Sequence, residues 1–492
     1  MAESLGRADA RAAVSWSAAA LLLYLATAAR GLVWADSSKL TLYALASYLP
    51  TLNPGDHAGW TLIAEGWLRL AGGDPVTAAH RLSAVAGAAV AGLLFLVLRA
   101  RGAGPERAHT AVAVVTVALP VWWAATVAET YMPAVALTLA AVLLLRPPTR
   151  GWRWVMAGIA CGLALACHAM AVVLAAPLLW EAEGRRWWRV VPGAVVGTAP
   201  MWLAVWGGPV DPLTGFAAGG GATWRWHWEA FVAAARVPRG AAVLTAIVLY
   251  GVGVLGVKAL WNARREGRAG AVWAASLGLL TVMLTAYAPY RLHLMTTFLV
   301  VGIALAVPMR LGPAARLAHL ASQAALYLAV PAVVTLAGKQ DLGVRVLPGR
   351  NNAFYFLCPV KDVGWARELW KPASLFDPGA DLYVGTLGAC APPSAVVVSD
   401  FNAGAPLRLA QRARGWRRDL DVHAVAVDVA LASPDPAAAL EAEIGRALAR
   451  GPVVLADTYR PYYRLDAIAA RFTVSPCRAG ALVSARPERG GS

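Results

Sequence analysis

The chain has 492 residues, 59% hydrophobic and only 15% charged, a balance that excludes a soluble globular protein over most of its length. Its 44 Lys and Arg against 28 Asp and Glu leave a formal charge of +16, but the basic residues cluster in short links between apolar runs. That placement speaks for membrane topology and against a nucleic-acid partner.

A bilayer core needs about 20 apolar residues per helical span. Runs of that kind recur from residue 14 to residue 337 and then stop. The expected fold is therefore a polytopic α-helical membrane protein, residues 1–338, followed by a small extracytoplasmic α/β domain, residues 339–492. Spans are read at 12–33, 78–99, 108–126, 131–146, 152–167, 169–182, 188–206, 239–260, 270–288, 291–309 and 315–337, about eleven in all. The runs 131–146, 152–167 and 169–182 are short, so protein must shield their ends.

Arg99/Arg101/Arg107, Arg146/Arg150/Arg153, Arg185/Arg186/Arg189, Lys258/Arg264/Arg265/Arg268 and Arg310/Arg316 mark every second link, as cytoplasmic loops should. The N-terminus is then cytoplasmic and the C-terminal domain outside, in an inner (cytoplasmic) membrane. Many of the 21 Trp fall at span ends, among them Trp34, Trp122, Trp123, Trp152, Trp154, Trp187, Trp188 and Trp206, where interfacial anchors belong. The first run is too long for a cleaved leader, and Trp34-Ala35-Asp36 is not a small-x-small cleavage site.

The first outer link, 34–77, opens with Gly31-Leu32-Val33-Trp34-Ala35-Asp36-Ser37-Ser38-Lys39. Asp36 has membrane on one side and water on the other. Asp-Ser-Ser ahead of Lys39-Leu40 also fits a helix N-cap. Leu40–Leu52 and Trp60–Ala71 read as short interfacial helices, the second with Trp60, Ile63, Ala64, Trp67, Leu68 and Ala71 on one face. Between them lies His57, which a turn after Asn53-Pro54-Gly55-Asp56 also explains.

Glu129 lies in Val127-Ala128-Glu129-Thr130-Tyr131 between two apolar runs, where an ionisable group is costly unless paired or functional. His168, between 152–167 and 169–182, occupies a similar place, and a hydrogen-bonded structural histidine is its simpler reading. Arg291 and His293 are the basic residues of an otherwise base-poor outer link, which suits an anionic partner. The link 207–238 carries Gly219-Gly220-Gly221 and Trp224-Arg225-Trp226-His227-Trp228, an interfacial anchor or a substrate loop.

Beyond Gly338, β-branched runs at Ala395–Ser399, Val422–Val429, Pro452–Ala456 and Ala481–Ala485 alternate with helix-like segments at 403–414, 434–450 and 459–470, the rhythm of an α/β domain. Of the five cysteines, Cys161 and Cys167 read as packing residues, and two of Cys358, Cys390 and Cys477 are placed to pair. No metal site is predicted from ligand spacing.

One topology puts Asp36, His57, Glu129, His168, Arg291 and His293 on the same side of the membrane. At these residues the chain resembles the protein O-mannosyltransferase-like membrane proteins of the GT-C glycosyltransferase class. The resemblance runs through Trp34-Ala35-Asp36-Ser37, through His57-Ala58-Gly59-Trp60-Thr61-Leu62, where the family has His-Pro-Pro-Gly-Tyr-Pro-Leu, and through His80-Arg81-Leu82-Ser83-Ala84. It continues at Trp122–Tyr131, Gly162–His168, Ser399-Asp400-Phe401-Asn402 and Gly415–Leu420. Both prolines of the family's His motif are absent, and Lys39 stands where an acidic residue would follow Asp36.

The resemblance implies an inverting transferase that takes a sugar from a polyprenyl-phosphate donor in the membrane to an acceptor on a protein, lipid or glycan. Asp36 would be its base. Lys39, His57, Glu129, His168, Arg291 and His293 would bind substrate or phosphate, Arg291 first and Lys39 second for the leaving phosphate. No cofactor is implied. A flippase of lipid-linked glycans would show repeat symmetry and mid-span charges, and a non-catalytic envelope scaffold would not need Asp36.

Overall fold

The computed structural model describes residues 5–49, 57–146, 151–203, 212–213, 292–306, 312–314, 316–325, 380–431, 433–457, 463–477 and 479–486. The expected spans 239–260 and 270–288, most of the link 207–238, and the start of the C-terminal domain lie outside them.

Among the described residues two helices are long and apolar enough to cross a membrane, α1 (Arg7–Thr27) and α4 (Pro75–Ala100). They pack on each other, with Gly87 of α4 against the Tyr24 ring. Asp74 caps α4 by accepting from the Thr77 N–H at 3.1 Å, and Pro75, whose missing N–H costs nothing there, occupies the first turn. Between α1 and α4 run α2 (Ala35–Leu45) and α3 (Ala58–Ala71). The apolar face expected of α3 is turned into the protein, against α2, α4 and α8, with Trp60 fully buried.

The run 108–126 is two helices, α5 (Pro105–Val117) and α6 (Leu119–Ala124), because Pro120 cannot continue the N–H ladder. The Leu119 N–H released by the break donates to Gln323 Oε1 at 2.9 Å. The shorter apolar helices α7 (Tyr131–Leu144), α8 (Gly151–Cys167) and α9 (Ala171–Glu183) follow. Most of α7 is buried by its neighbours, as its length requires.

After a 3-10 turn at Gly184–Val190, the run 188–206 forms α10 (Val191–Gly197) and α11 (Ala199–Leu203), with Pro192 and Pro200 at the interruptions. Gly158 and Gly162 of α8 meet Gly193 and Gly197 of α10 so closely that a Cβ on any of the four would strike the opposing backbone. This small-residue crossing holds α8, and therefore His168 beyond its end, in place. Helix α12 (Leu292–Ala306) packs on α5, α6, α7 and α9.

One end of this bundle gathers ion pairs: Arg99 to Asp9 at 2.8 Å, Arg101 to Glu181 at 2.7 Å and Arg316 to Glu106 at 2.8 Å. The expected Trp belt is divided. Trp152, Trp187 and Trp188 are exposed, whereas Trp34, Trp122, Trp123 and Trp154 are buried and pack within the protein. Trp122 Nε1 donates to Thr27 Oγ1 at 2.9 Å, so it ties helices together instead of anchoring them to lipid.

The C-terminal domain contains α13 (Ala380–Cys390), β1 (Val396–Val398), α14 (Phe401–Arg414), β2 (Asp421–His423), α15 (Ala426–Leu431), α16 (Pro436–Leu448), β3 (Val453–Leu455), α17 (Leu465–Arg471), β4 (Phe472–Cys477) and β5 (Gly480–Ala485). Its sheet has the order β2-β1-β3-β5-β4, parallel through the first three strands and antiparallel at β5 and β4. Strands β1 and β3 are buried along their whole length.

The expected strand Val422–Val429 ends at His423 and turns into α15. The Val427 N–H bends back to Ser399 O at 3.1 Å, and Asp428 Oδ2 accepts from the Phe401 N–H at 2.5 Å. Of the segment read as a helix at 459–470, Leu465 onwards forms α17, and residues 459–462 lie outside the described residues. Strand β4, an edge strand carrying Pro476, was not expected. Cys390 and Cys477 form the disulfide, while Cys161 and Cys167 are buried and free. Cys358 lies outside the described residues.

Candidate functional site

Where the chain leaves α1, its polar backbone groups are satisfied by distant parts of the sequence. The Ala29 N–H donates to Thr126 O at 2.8 Å, His80 Nε2 donates to Gly31 O at 2.9 Å, and the Leu32 N–H donates to Asp381 Oδ2 at 3.0 Å. The next turn begins α2 with Trp34, not Asp36, at the N-cap. The capping role open to Asp36 from the sequence is therefore not the one it plays.

Asp36 lies inside the first turn of α2, where the helix dipole favours an anion. Its Oδ1 is 3.2 Å from Lys39 Nζ, one turn further along. The Lys39 ammonium is largely buried, 5.9 Å from the Tyr43 ring centre and 5.6 Å from that of Phe401. Ser37 Oγ donates to Ala128 O at 2.9 Å, which draws the 127–130 link against the same turn.

That link carries Glu129, and α4 clamps it. The Ala128 N–H donates to His80 Nδ1 at 2.8 Å, so His80 bridges the 127–130 link and Gly31 in one neutral tautomer. Glu129 is 3% exposed, and among the described residues its Oε1 has no hydrogen-bond partner. Burial, and next the Asp36 charge, hold its carboxyl well above the usual carboxylate range. Two neighbouring carboxyl groups thus stand in different environments, one ion-paired and part-exposed, the other buried.

The histidines meet on the other side. His57, at the N-cap of α3, has a left-handed backbone (φ 59°), and its Nδ1 donates to Cys167 O at 2.8 Å. Its ring stacks on His168 with centres 5.1 Å apart. Gly59 allows this approach, because a Cβ there would lie 2.8 Å from Ala166 and Cys167. His168 also packs on Tyr131 at 4.8 Å and Phe298 at 5.4 Å, and its Nδ1 accepts from the Met170 N–H at 3.1 Å. Burial first, then the neighbouring His57, push His168 well below the usual imidazole range, with the Asp36 charge opposing. It is a neutral polar wall at neutral pH.

Asp36, Lys39, Glu129, His57 and His168 are thus brought together, with the Asp36 charge bearing on both Glu129 and His168. Arg291 lies outside the described residues. His293 is in the first turn of α12, a helix whose Phe298 touches His168, but its side chain lies outside the described set. Among the described residues no three of His, Cys, Asp or Glu converge as metal ligands.

The C-terminal domain closes over this end of the bundle. Helix α14 packs along α2, Tyr383 of α13 meets Trp34 with ring centres 4.8 Å apart, and Arg414 pairs with Asp381 and lies 3.8 Å from Asp74. Asp381 and Tyr383 are not singled out by the sequence, and Phe401 only within the Ser399–Asn402 resemblance, since a contact across 349 residues leaves no local pattern. His80 and Ser83, one turn apart on α4, belong to the His80–Ala84 stretch that carries the resemblance.

No protein-family profile and no curated protein matches the chain. Solved structures do, two of them over nearly its whole length. One is ArnT from Cupriavidus metallidurans bound to undecaprenyl phosphate, with a TM-score of 0.54 and 15% identity, covering 97% of this chain and 99% of that one. The other is the same protein in the apo state, with a TM-score of 0.49 and 14% identity, covering 96% and 97%. On the first of these, the chain shares the fold of that ArnT structure.

Proposed function

We propose that this protein is a membrane glycosyltransferase that moves a sugar from a polyprenyl-phosphate donor to an acceptor hydroxyl at the extracytoplasmic face, with Asp36 as base. The observation that carries the reading is the grouping of Asp36, Lys39, Glu129, His57 and His168 beneath the C-terminal domain. The fold shared with an ArnT solved with undecaprenyl phosphate supports the class of donor. The ion pairs of Arg99, Arg101 and Arg316 at the other end of the bundle fit a cytoplasmic face there.

An acceptor hydroxyl is a weak nucleophile, so Asp36 takes its proton as the acceptor oxygen bonds to the anomeric carbon. The bond from that carbon to the donor phosphate oxygen breaks on the opposite face, and its electron pair leaves with the phosphate. Arg291 is the first cation for the charge growing on the phosphate, and Lys39, which also pairs with Asp36, is the second. Glu129 carries its proton and donates to a sugar oxygen, while His57 and His168 fix the sugar's orientation. The ring between nucleophile and leaving group is displaced in line, which inverts the anomeric centre.

Comparison of cell-envelope glycans in cells with and without the protein tests this reading. One sugar linkage should disappear with the protein, and its anomeric configuration should be opposite to that of the polyprenyl-phosphate donor. An unchanged envelope, or retention of configuration, contradicts it. The sugar and the acceptor would be read from the same comparison.

A further inference from the structure

One peptide group ahead of α2 is held from two sides. Its carbonyl, Gly31 O, accepts from His80 Nε2 of α4 at 2.9 Å, and its N–H, on Leu32, donates to Asp381 Oδ2 in the first turn of α13 at 3.0 Å. A membrane helix and the C-terminal domain therefore grip a single rigid amide plane. Gly31 lets the carboxylate come this close, because a Cβ there would run into Asp381 Oδ2.

The two grips lead to the two carboxyl groups of the site. Three residues beyond Gly31, Trp34 is the N-cap of α2, and Tyr383, also on α13, packs on its ring with centres 4.8 Å apart. Asp36 follows in the first turn. In the other direction, His80 Nδ1 accepts from the Ala128 N–H at 2.8 Å, one residue before Glu129. Ala128 O accepts from Ser37 Oγ at 2.9 Å, one residue after Asp36.

The Ala128 N–H, the His80 imidazole and the Gly31–Leu32 peptide all donate toward Asp381, so its carboxylate polarises the whole row and strengthens each bond in it. The carboxylate is itself held in place. Arg414 of α14 pairs with its other oxygen and reaches to 3.8 Å from Asp74, the N-cap of α4.

We propose that Asp381 is a positioning residue for the Asp36–Glu129 pair: by holding the Gly31–Leu32 peptide against His80, it makes the relative placement of the two carboxyl groups depend on the seated C-terminal domain. The proposal rests on reading that pair as the working carboxyl groups of a transferase. It gives the soluble domain a part in setting the geometry of the site besides covering it.

The test follows the environment of Glu129 and uses no sugar. The charged groups that bear on Glu129 are Asp36 and Lys39, both on α2, and burial acts with Asp36 to keep its proton on. Unfolding temperatures of the purified full-length protein are compared with those of its Glu129→Gln counterpart at pH 4 and pH 8, in wild type, Asp381→Ala, Gly31→Ala and Arg414→Met backgrounds. Taking the difference within each background cancels the titration of the other groups.

In the wild-type background the Glu129→Gln protein should unfold at the higher temperature at pH 8 and match at pH 4. With Asp381→Ala or Gly31→Ala the gap at pH 8 should shrink by about half or more, as Glu129 separates from Asp36 and gains water. Arg414→Met loosens the same seam but leaves Asp381 on the Leu32 N–H, and should keep the gap. An unchanged gap with Asp381→Ala or with Gly31→Ala overturns the proposal. An equal shrinkage with Arg414→Met overturns it too, because general loosening of the domain then accounts for the effect, and a wild type without a gap removes the buried carboxyl that Asp381 is said to position. No sugar is transferred in any of these measurements, so the transferase reading stands or falls separately, on the envelope glycans.

Discussion

Ser83 Oγ accepts from the Glu129 N–H at 3.1 Å and donates to Glu129 O at 3.3 Å, so one hydroxyl on α4 holds both backbone polar groups of the residue beside Asp36. Ser83→Ala leaves a buried donor and acceptor unpaired. It should cost about 1–3 kcal/mol in thermal or denaturant unfolding and lower transfer activity further, because Glu129 is no longer fixed. Wild-type stability in that variant would show that water or a backbone shift replaces the clamp.

Glu129 gives the protein a pH-dependent stability of definite sign. Its folded carboxyl is raised well above the usual value, chiefly by burial. Below the ordinary carboxylate range, folded and unfolded chains both hold the proton and the contribution of the group is complete. As the pH rises beyond that range the unfolded chain releases its proton first, and stability is lost until the folded value is passed. Glu129→Gln should therefore match wild type near pH 4 and unfold at a higher temperature than wild type near pH 8. A constant difference between the two proteins across that range would contradict the assignment.

The polar groups of the site are legible because charge is conspicuous in apolar sequence: the sequence marks out Asp36, His57, Glu129 and His168, and the structure brings them together. Other features are not. Asp36 looked like a helix cap because Asp-Ser-Ser is a capping sequence, yet the link is drawn tight by Gly31, Leu32 and Ala128 bonding to distant residues, and the helix starts at Ala35. Val425, Val427 and Val429 alternate as a strand would, but the bond from the Val427 N–H to Ser399 O turns the chain into α15, and the strand ends at His423. Trp34 resembled an interfacial anchor because nothing local announces Tyr383, the residue that covers it.

Gly59 allows α3 to approach the end of α8, and with it His57 to stack on His168. Gly59→Ala puts a methyl 2.8 Å from the Ala166 and Cys167 backbone. It should destabilise the protein by about 1–3 kcal/mol and reduce transfer by separating the two imidazoles. Thermal unfolding alongside an activity measurement would show it, and full activity would mean that the histidine stack is dispensable.

The Cys390–Cys477 disulfide joins the end of α13, which docks on Trp34, to the end of β4 at the sheet edge. Cys477→Ser should lower the stability of the C-terminal domain by about 2–5 kcal/mol, read as faster limited proteolysis after residue 380 in the full-length protein. Because Phe401 and Tyr383 belong to that domain, activity should fall in the same variant. Unchanged proteolysis would show that the docked helices alone hold the domain.

The account turns on Asp36. Asp36→Asn keeps the size of the side chain and removes the proton acceptor, so the purified variant should fold and bind undecaprenyl phosphate while its rate of sugar transfer falls by about two to four orders of magnitude. Transfer at the wild-type rate by a correctly folded Asp36→Asn protein would contradict the assignment of Asp36 as base.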